Sequence, residues 1–262
     1  MQTYAQFCPV AKAAEIFAER WTSLIIRELL MGSKKLGELE IGMAHIPWSL
    51  LTQRLRSLED AGVLTWKIEG TNERAEYHLT EAGAELMDVV KGLGDWGQKW
   101  VDHDITADDV DPKLLVWDMH RRVNVDLLPP ERVVVQLTFH GAYKGDFWLV
   151  LERPEPSVCM NNPGFDVDVF VTTDTIAIHK VWMGMESLAE CLDDGRIELD
   201  GLTAHVDAFP RWLKLSDFAG VKPAGISRMR SGLTGISGDR WEDDRDFVWQ
   251  PPLERAKLAQ RF

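Results

Sequence analysis

Apolar residues recur at helical spacing through the first sixty positions, then switch to strict alternation. Val10, Ala13, Ala14 and Phe17 share one face of a helix that opens at Pro9, where a missing N–H costs nothing. Leu24, Ile25, Leu29 and Leu30 predict a second helix from about Thr22 to Met31, with Gly32 as its stop. A short third helix is expected over 34–41, a turn over 42–45 and a fourth helix led by Pro47. In that fourth helix Leu51, Leu55 and Leu58 recur at i, i+4 and i+7 and define a buried stripe. Ser49, Gln53 and Arg56 then fall near the opposite pole, with Thr52 and Arg54 on the flanks.

Past Gly62, Leu64, Trp66 and Ile68 alternate with polar residues, as do Ala75, Tyr77 and Leu79 on the other side of a polar segment ending in Arg74. Period two on both sides of a polar tip predicts a hairpin. Thr80 is placed to cap a long helix with Glu81 in its first turn. Its stripe of Leu86, Val89, Val90, Leu93, Trp96 and Trp100 is wide, and Gly92, Gly94 and Gly97 fall inside it. Each glycine weakens an exposed helix by about 1 kcal/mol relative to alanine, so this helix is expected to pack closely on another. The same helix of a second subunit is the simplest partner; glycines that only bend the helix are the alternative.

An acidic stretch ending at Pro112 reads as a linker. Beyond it, strands are expected over 133–139, 146–151, 166–172, 175–178 and 196–199, with helices over 186–192 and about 202–213. Strands with segregated helices indicate an α+β domain with a mostly antiparallel sheet. From Gly220 onward glycine, serine, proline and charges dominate, and the tail reads as partly irregular. The expected organisation is therefore 1–103, a linker over 104–112, a second domain over 113–221 and a tail over 222–262.

At 262 residues the chain is long enough for two domains, and 45% hydrophobic residues suffice for two cores. No apolar run reaches the roughly 18 residues that a bilayer requires, and the first residues lack a basic region followed by an apolar stretch. No membrane insertion and a soluble, cytoplasmic protein are the expectation. Cys8, Cys159 and Cys191 lie far apart and form no CxxC pair, which indicates neither a disulfide framework nor a cysteine zinc site. The histidines show no i, i+4 pairing of the metal-ligand kind, and neither a serine elbow nor a phosphate-cradling glycine loop is present. No metal, no cofactor and no enzymatic activity are expected.

The net charge of −13 opposes nucleic-acid binding at first sight. Residues 1–103 nevertheless hold 11 Lys+Arg against 15 Asp+Glu, and an acidic chain can bind DNA if its cations converge on one face. A helix that shows Ser49, Thr52, Gln53, Arg54 and Arg56 and is handed on to a two-stranded wing has the parts needed to read a major groove. Gln53 can pair with adenine and Arg56 with guanine, while Arg54 suits a phosphate or an intramolecular partner. Lys34, Lys35 and Arg74 are candidate phosphate contacts. The alternative is an ordinary solvated helix face.

The N-terminal third resembles the HxlR-type winged helix-turn-helix regulators. The resemblance is carried by Cys8-Pro9-Val10, the segment from Arg20-Trp21 to Gly32, the helix with Leu51-Thr-Gln-Arg-Leu-Arg-Ser-Leu58, and Tyr77-His-Leu-Thr-Glu-Ala-Gly83 with Trp96-Gly97. It implies a homodimer on double-stranded DNA. The chain departs from the pattern at Glu19-Arg20, Lys35-Leu36 and Asn72-Glu73, and Glu73 would repel phosphate from the wing. Some HxlR-type relatives use a cysteine at the position of Cys8 as a redox sensor, and this residue also precedes a helix start, where the macrodipole favours a thiolate. A small buried apolar role is the alternative.

From about Leu114 to Ala219 the chain looks like a sterol-carrier-protein type domain, on Val167-Asp-Val-Phe-Val171, the helix around Met185 to Leu192, and Asp194-Gly-Arg-Ile-Glu-Leu-Asp-Gly201. That resemblance implies an apolar or aromatic effector in a tunnel under the sheet. Trp117, Trp148, Met160, Trp182, Met183 and Met185 are candidate lining residues, with core packing as the alternative for each. The resulting expectation is a transcriptional regulator, acting as a repressor, whose DNA binding responds to a small apolar ligand. The alternatives are a redox switch through Cys8, or a lipid carrier whose winged helix serves protein contacts.

Overall fold

The computed structural model describes residues 3–43, 45–69, 74–101 and 104–224, all within one compact unit spanning Met1–Gly225. Helix α1 (Pro9–Phe17) starts on proline as expected, but it buries no residue and leaves Val10 75% exposed. Helix α2 (Thr22–Leu30) is the centre of the first core and contributes Ile25, Ile26 and Leu29. Helix α3 (Leu36–Gly42) begins where the Glu38 carboxylate accepts the backbone N–H groups of Lys34 and Lys35 at 2.8 and 3.0 Å. Two otherwise orphaned donors are thereby satisfied.

Helix α4 (Trp48–Asp60) buries Leu51, Leu55 and Leu58, the stripe that periodicity picked out. It ends in a left-handed Gly62 (φ 72°), which lets the N–H groups of Gly62 and Val63 reach back to the carbonyls of Glu59 and Leu58 at 2.8 and 2.9 Å. A Cβ-bearing residue would strain this turn, and the turn aims the chain into the wing. Strands β1 (Leu64–Glu69) and β2 (Arg74–Leu79) pair antiparallel, with Leu64 opposite Leu79 and Glu69 opposite Arg74. The wing tip, 70–73, lies outside the described residues, and with it the expected repulsion by Glu73.

The single long helix expected after Thr80 is divided into α5 (Glu81–Ala84) and α6 (Met87–Trp100). Thr80 does cap the first piece, its hydroxyl accepting the Gly83 N–H at 3.2 Å. Gly83 sits so close to the wing that an added Cβ would fall 2.1 Å from the Val63 carbonyl oxygen. The Leu86 N–H then bonds three residues back, to Gly83 at 3.2 Å, and this tighter turn separates the two helices.

Helix α7 (Pro112–Arg121) opens the second half; Asp111 caps it by accepting the N–H groups of Lys113 and Leu114 at 2.9 and 3.3 Å. The sheet contains β3 (Val133–His140), β4 (Gly145–Leu151), β5 (Ser157–Cys159), β6 (Val169–Asp174) and β7 (Ile197–Gly201), in the order β5-β4-β3-β6-β7. Only β3 and β6 run parallel; the other neighbours are antiparallel. Residues 175–178, expected as a strand, instead begin helix α8 (Thr175–Trp182). Asp174 caps it by accepting from Ile176 and Ala177, each at 3.0 Å, and Ala177, Ile178, Val181 and Trp182 are buried at helical spacing.

Helices α9 (Leu188–Asp193) and α10 (Thr203–Trp212) complete the described structure. Val133, Val135, Leu137 and Phe139 of β3 form one core with Leu115, Val116 and Met119 of α7 and with Phe209 and Trp212 of α10. Mixed α+β content is thus observed. Among the described residues no helix is long and apolar enough to cross a membrane.

Candidate nucleic-acid interface

Burial of the Leu51–Leu55–Leu58 stripe fixes the roll of α4 and turns Ser49, Gln53 and Arg56 outward. All three are exposed, and neither Gln53 nor Arg56 makes a hydrogen bond or ion pair among the described residues. Thr52 is half-buried and its hydroxyl donates back to the Trp48 and Ser49 carbonyls at 3.1 and 3.0 Å, which leaves it only acceptor capacity toward a partner. Arg54 turns inward: it pairs with Glu19 and donates from Nε to the Arg20 carbonyl at 3.3 Å. Its guanidinium ties α4 to the corner between α1 and α2.

Lys34 and Lys35 are exposed at the start of α3, and Lys35 reaches Glu76 of β2 at 3.7 Å. Arg74 opens β2 beside the undescribed tip. The geometry therefore brings Ser49, Gln53 and Arg56 together on one free face, with the lysines on a neighbouring element. Two exposed residues escaped the sequence reading, Trp48 at 54% and His45, which has a side chain 88% exposed and φ 74°. Trp48 lies three residues before Leu51 and so belongs by phase to the buried stripe; its place at the helix end leaves nothing to cover it.

Residues 16–105 match the HxlR-like helix-turn-helix family. The chain is 34% identical over 100 residues to the uncharacterized HTH-type transcriptional regulator YvaP of Bacillus subtilis, covering 37% of this chain and 93% of that protein. It is 31% identical over 133 residues to the uncharacterized HTH-type transcriptional regulator Rv3095 of Mycobacterium tuberculosis, covering 47% of this chain and 84% of the relative. Among solved structures, the reduced form of the regulator YodB from B. subtilis is 28% identical, covering 36% of this chain and 93% of that one, with a TM-score of 0.32. The chain belongs to the HxlR-like helix-turn-helix family.

In this HxlR-like protein Cys8 is the residue just ahead of α1, half-buried, with its carbonyl accepting the Lys12 N–H at 3.1 Å. All three cysteines are free: Cys159 sits on the edge strand β5, and Cys191 is buried in α9. Burial pushes the Cys191 thiol up, away from thiolate.

Helix α2 meets the second half through a buried carboxylate. Glu28 is fully buried; its Oε1 accepts from Arg27 at 2.7 Å, and its Oε2 from Arg121 at 2.9 Å, Ser33 at 3.2 Å and Trp117 at 3.4 Å. Burial pushes this carboxyl up, but Arg121 and Arg27 together draw it below its ordinary value. The signal was present in sequence: Glu28 stands three residues after Ile25, on the apolar face of α2.

The six expected pocket residues do not converge. Trp117 belongs to the Glu28 cluster, with Arg121 5.2 Å from its ring centre. Trp148 is buried in β4, Met160 is half-buried against the sheet core, and Met185 is half-buried just past α8. Trp182 and Met183 alone share a cleft, of about 710 Å³, whose other walls include Met31 of α2, Val90 of α6, Leu115 of α7 and Phe218. Gly94 of α6 lies directly against Phe218; a Cβ there would come within 2.3 Å of the ring. The close approach expected between subunits at the glycines is, at Gly94, made within the chain.

Proposed function

We propose that this protein is a sequence-specific transcriptional regulator that reads double-stranded DNA with α4 as a homodimer. The observation that carries the reading is the exposed, unengaged face of Ser49, Gln53 and Arg56 on the helix whose stripe is locked into the winged-helix core. Lys34, Lys35 and Arg74 take phosphate contacts beside it, and Arg54 acts through its intramolecular pair with Glu19. Residues 1–103 form the reader, 104–112 the connection, 113–221 a sterol-carrier-like domain holding a small apolar effector, and 222–262 a tail. The resemblance draws support from the five-stranded sheet with a single parallel pair and helices packed on its core. In a gel shift with the upstream region of its own gene the protein should form a discrete complex that weakens steeply with salt, because phosphate contacts release counterions. Salt-insensitive or absent binding would leave the winged helix as a protein-contact module.

The dimer reading rests on apolar surface left bare. Val89, Leu93 and Trp96 recur at i, i+4 and i+7 along α6 and are each about half exposed, at 49, 50 and 50%. Tyr4, Phe7 and Val10, leading into and opening α1, are exposed as well. Packing this stripe against its symmetry mate would give two reading helices, suited to half-sites one helical turn, about 34 Å, apart. The double variant Leu93→Glu, Trp96→Glu should be a folded monomer by native mass spectrometry and should lose most of its operator affinity. A dimer that persists in this variant removes α6 from the interface.

A further inference from the structure

We infer that the cleft between α2 and α6 on one side and α7, α8 and Phe218 on the other is the effector site, and that it takes a lipophilic cation. This deepens the proposed regulator by moving its ligand from within residues 113–221 to the junction of the two halves and giving it a charge, and its DNA arm rests on that reading. The cleft's volume of about 710 Å³ lies within the range of sites that enclose a drug-sized molecule. Its body is apolar and polarizable, with Met31, Val90, Leu115, Trp182, Met183 and Phe218 on facing walls.

Charge decides the ligand class. Each wall cation already has an acidic partner: Arg27 and Arg121 hold Glu28, Arg122 holds Asp217 at 2.7 Å, and Lys91 holds Asp95 at 2.6 Å. The carboxylates are more numerous. Among the described residues, Asp111, Asp118 and Asp217 line the cleft with Glu28 and Asp95 behind them, five acids facing four bases. Burial pulls His179 below its ordinary value, so near neutral pH it adds no compensating charge.

Asp118 is the focal acid. One oxygen accepts from Arg121 at 2.5 Å, while the other has no partner among the described residues. Burial pushes its carboxyl up in spite of Arg121, which marks a site where an added cation would be welcome. An anion would meet a carboxylate beside every wall cation; a cation inserts beside Asp118 with Trp182 and Phe218 available to its face. Because the walls come from both halves, such a ligand would have different contacts in any arrangement that shifts α2 against α7, which is the condition for coupling to DNA binding.

Tetraphenylphosphonium and tetraphenylborate share one shape and carry opposite charge, so titration calorimetry of the full chain in sodium buffer separates charge from greasiness. The cation should bind saturably, one per chain, and at least about tenfold tighter than the anion, a difference of about 1.4 kcal/mol. Met183→Trp, or Val90→Trp from the facing wall if the first fails to fold, should abolish binding. Asp118→Asn should weaken the cation by about fivefold or more and not the anion, as expected for one charge at short range in a partly buried site. Equal or tighter binding of tetraphenylborate overturns the class, and cation binding untouched by both tryptophan variants overturns the location. If both arms succeed and the upstream DNA is never shifted, the regulator reading falls and the site stands.

Discussion

Glu28→Ala should be strongly destabilising, costing about 3–5 kcal/mol and lowering Tm by roughly 6–20 °C for a domain of this size. The carboxylate is fully buried and accepts from Arg27, Arg121, Ser33 and Trp117. Removing it leaves the Arg121 guanidinium, whose side chain is only 10% exposed and whose Nε is already without a partner among the described residues, with Asp118 as its one remaining carboxylate. The cost is that of a buried charge left with half its compensation, not of the lost attraction alone. Replacing both partners, as in Glu28→Leu with Arg121→Met, should therefore recover much of the loss.

Acid should act on the same group. Its folded-state value is depressed below the ordinary 4.5, so its contribution is complete above that pH and is lost as pH falls through the folded value. Thermal melts between pH 6 and 3 on the wild type and Glu28→Gln would show this as a shallower acid dependence in the variant. A Glu28→Ala Tm within about 2 °C of wild type would mean that solvent and Asp118 suffice for Arg121.

The reader was legible because its core obeys two simple periods. The spacing of Leu51, Leu55 and Leu58 fixed which side of α4 faces out, and alternation on both sides of a polar tip fixed the wing. The cap at Thr80 was visible too, but not the break after Ala84, because it comes from Gly83 meeting the Val63 carbonyl, a tertiary contact. Helix α7 was missed: its buried Leu115, Val116 and Met119 are spaced among charged and aromatic residues that face α3 and the Glu28 cluster, not water. Residues 175–178 looked like a strand because four alternating residues cannot separate a period of 2 from 3.6, and only the Asp174 cap decides. The cleft was half legible for a similar reason. Composition nominated Trp182 and Met183, but the charges that give the cleft its character come from α2, α6, α7 and the loops at 109–111 and 217.

Gln53→Ala with Arg56→Ala should leave the protein folded and remove most of its operator preference. Neither side chain makes a hydrogen bond or ion pair among the described residues, and both are exposed on the outer pole of α4, so stability should stay within about 0.5 kcal/mol of wild type. A bidentate contact to adenine or guanine is worth about 1–3 kcal/mol of discrimination, so the pair should reduce specific affinity by roughly thirtyfold or more in each half-site. Binding to unrelated DNA should fall less, because only Arg56 adds charge. Arg54→Ala is the informative contrast: its guanidinium holds Glu19 and the Arg20 carbonyl, so its loss should appear mainly in Tm. Lys34→Ala should instead weaken specific and nonspecific complexes alike and reduce the salt slope by about one. Gel shifts at two salt concentrations resolve these patterns. Operator affinity unchanged in the Gln53, Arg56 double variant would remove the outer face of α4 as the reading surface, whatever the wing and lysines do.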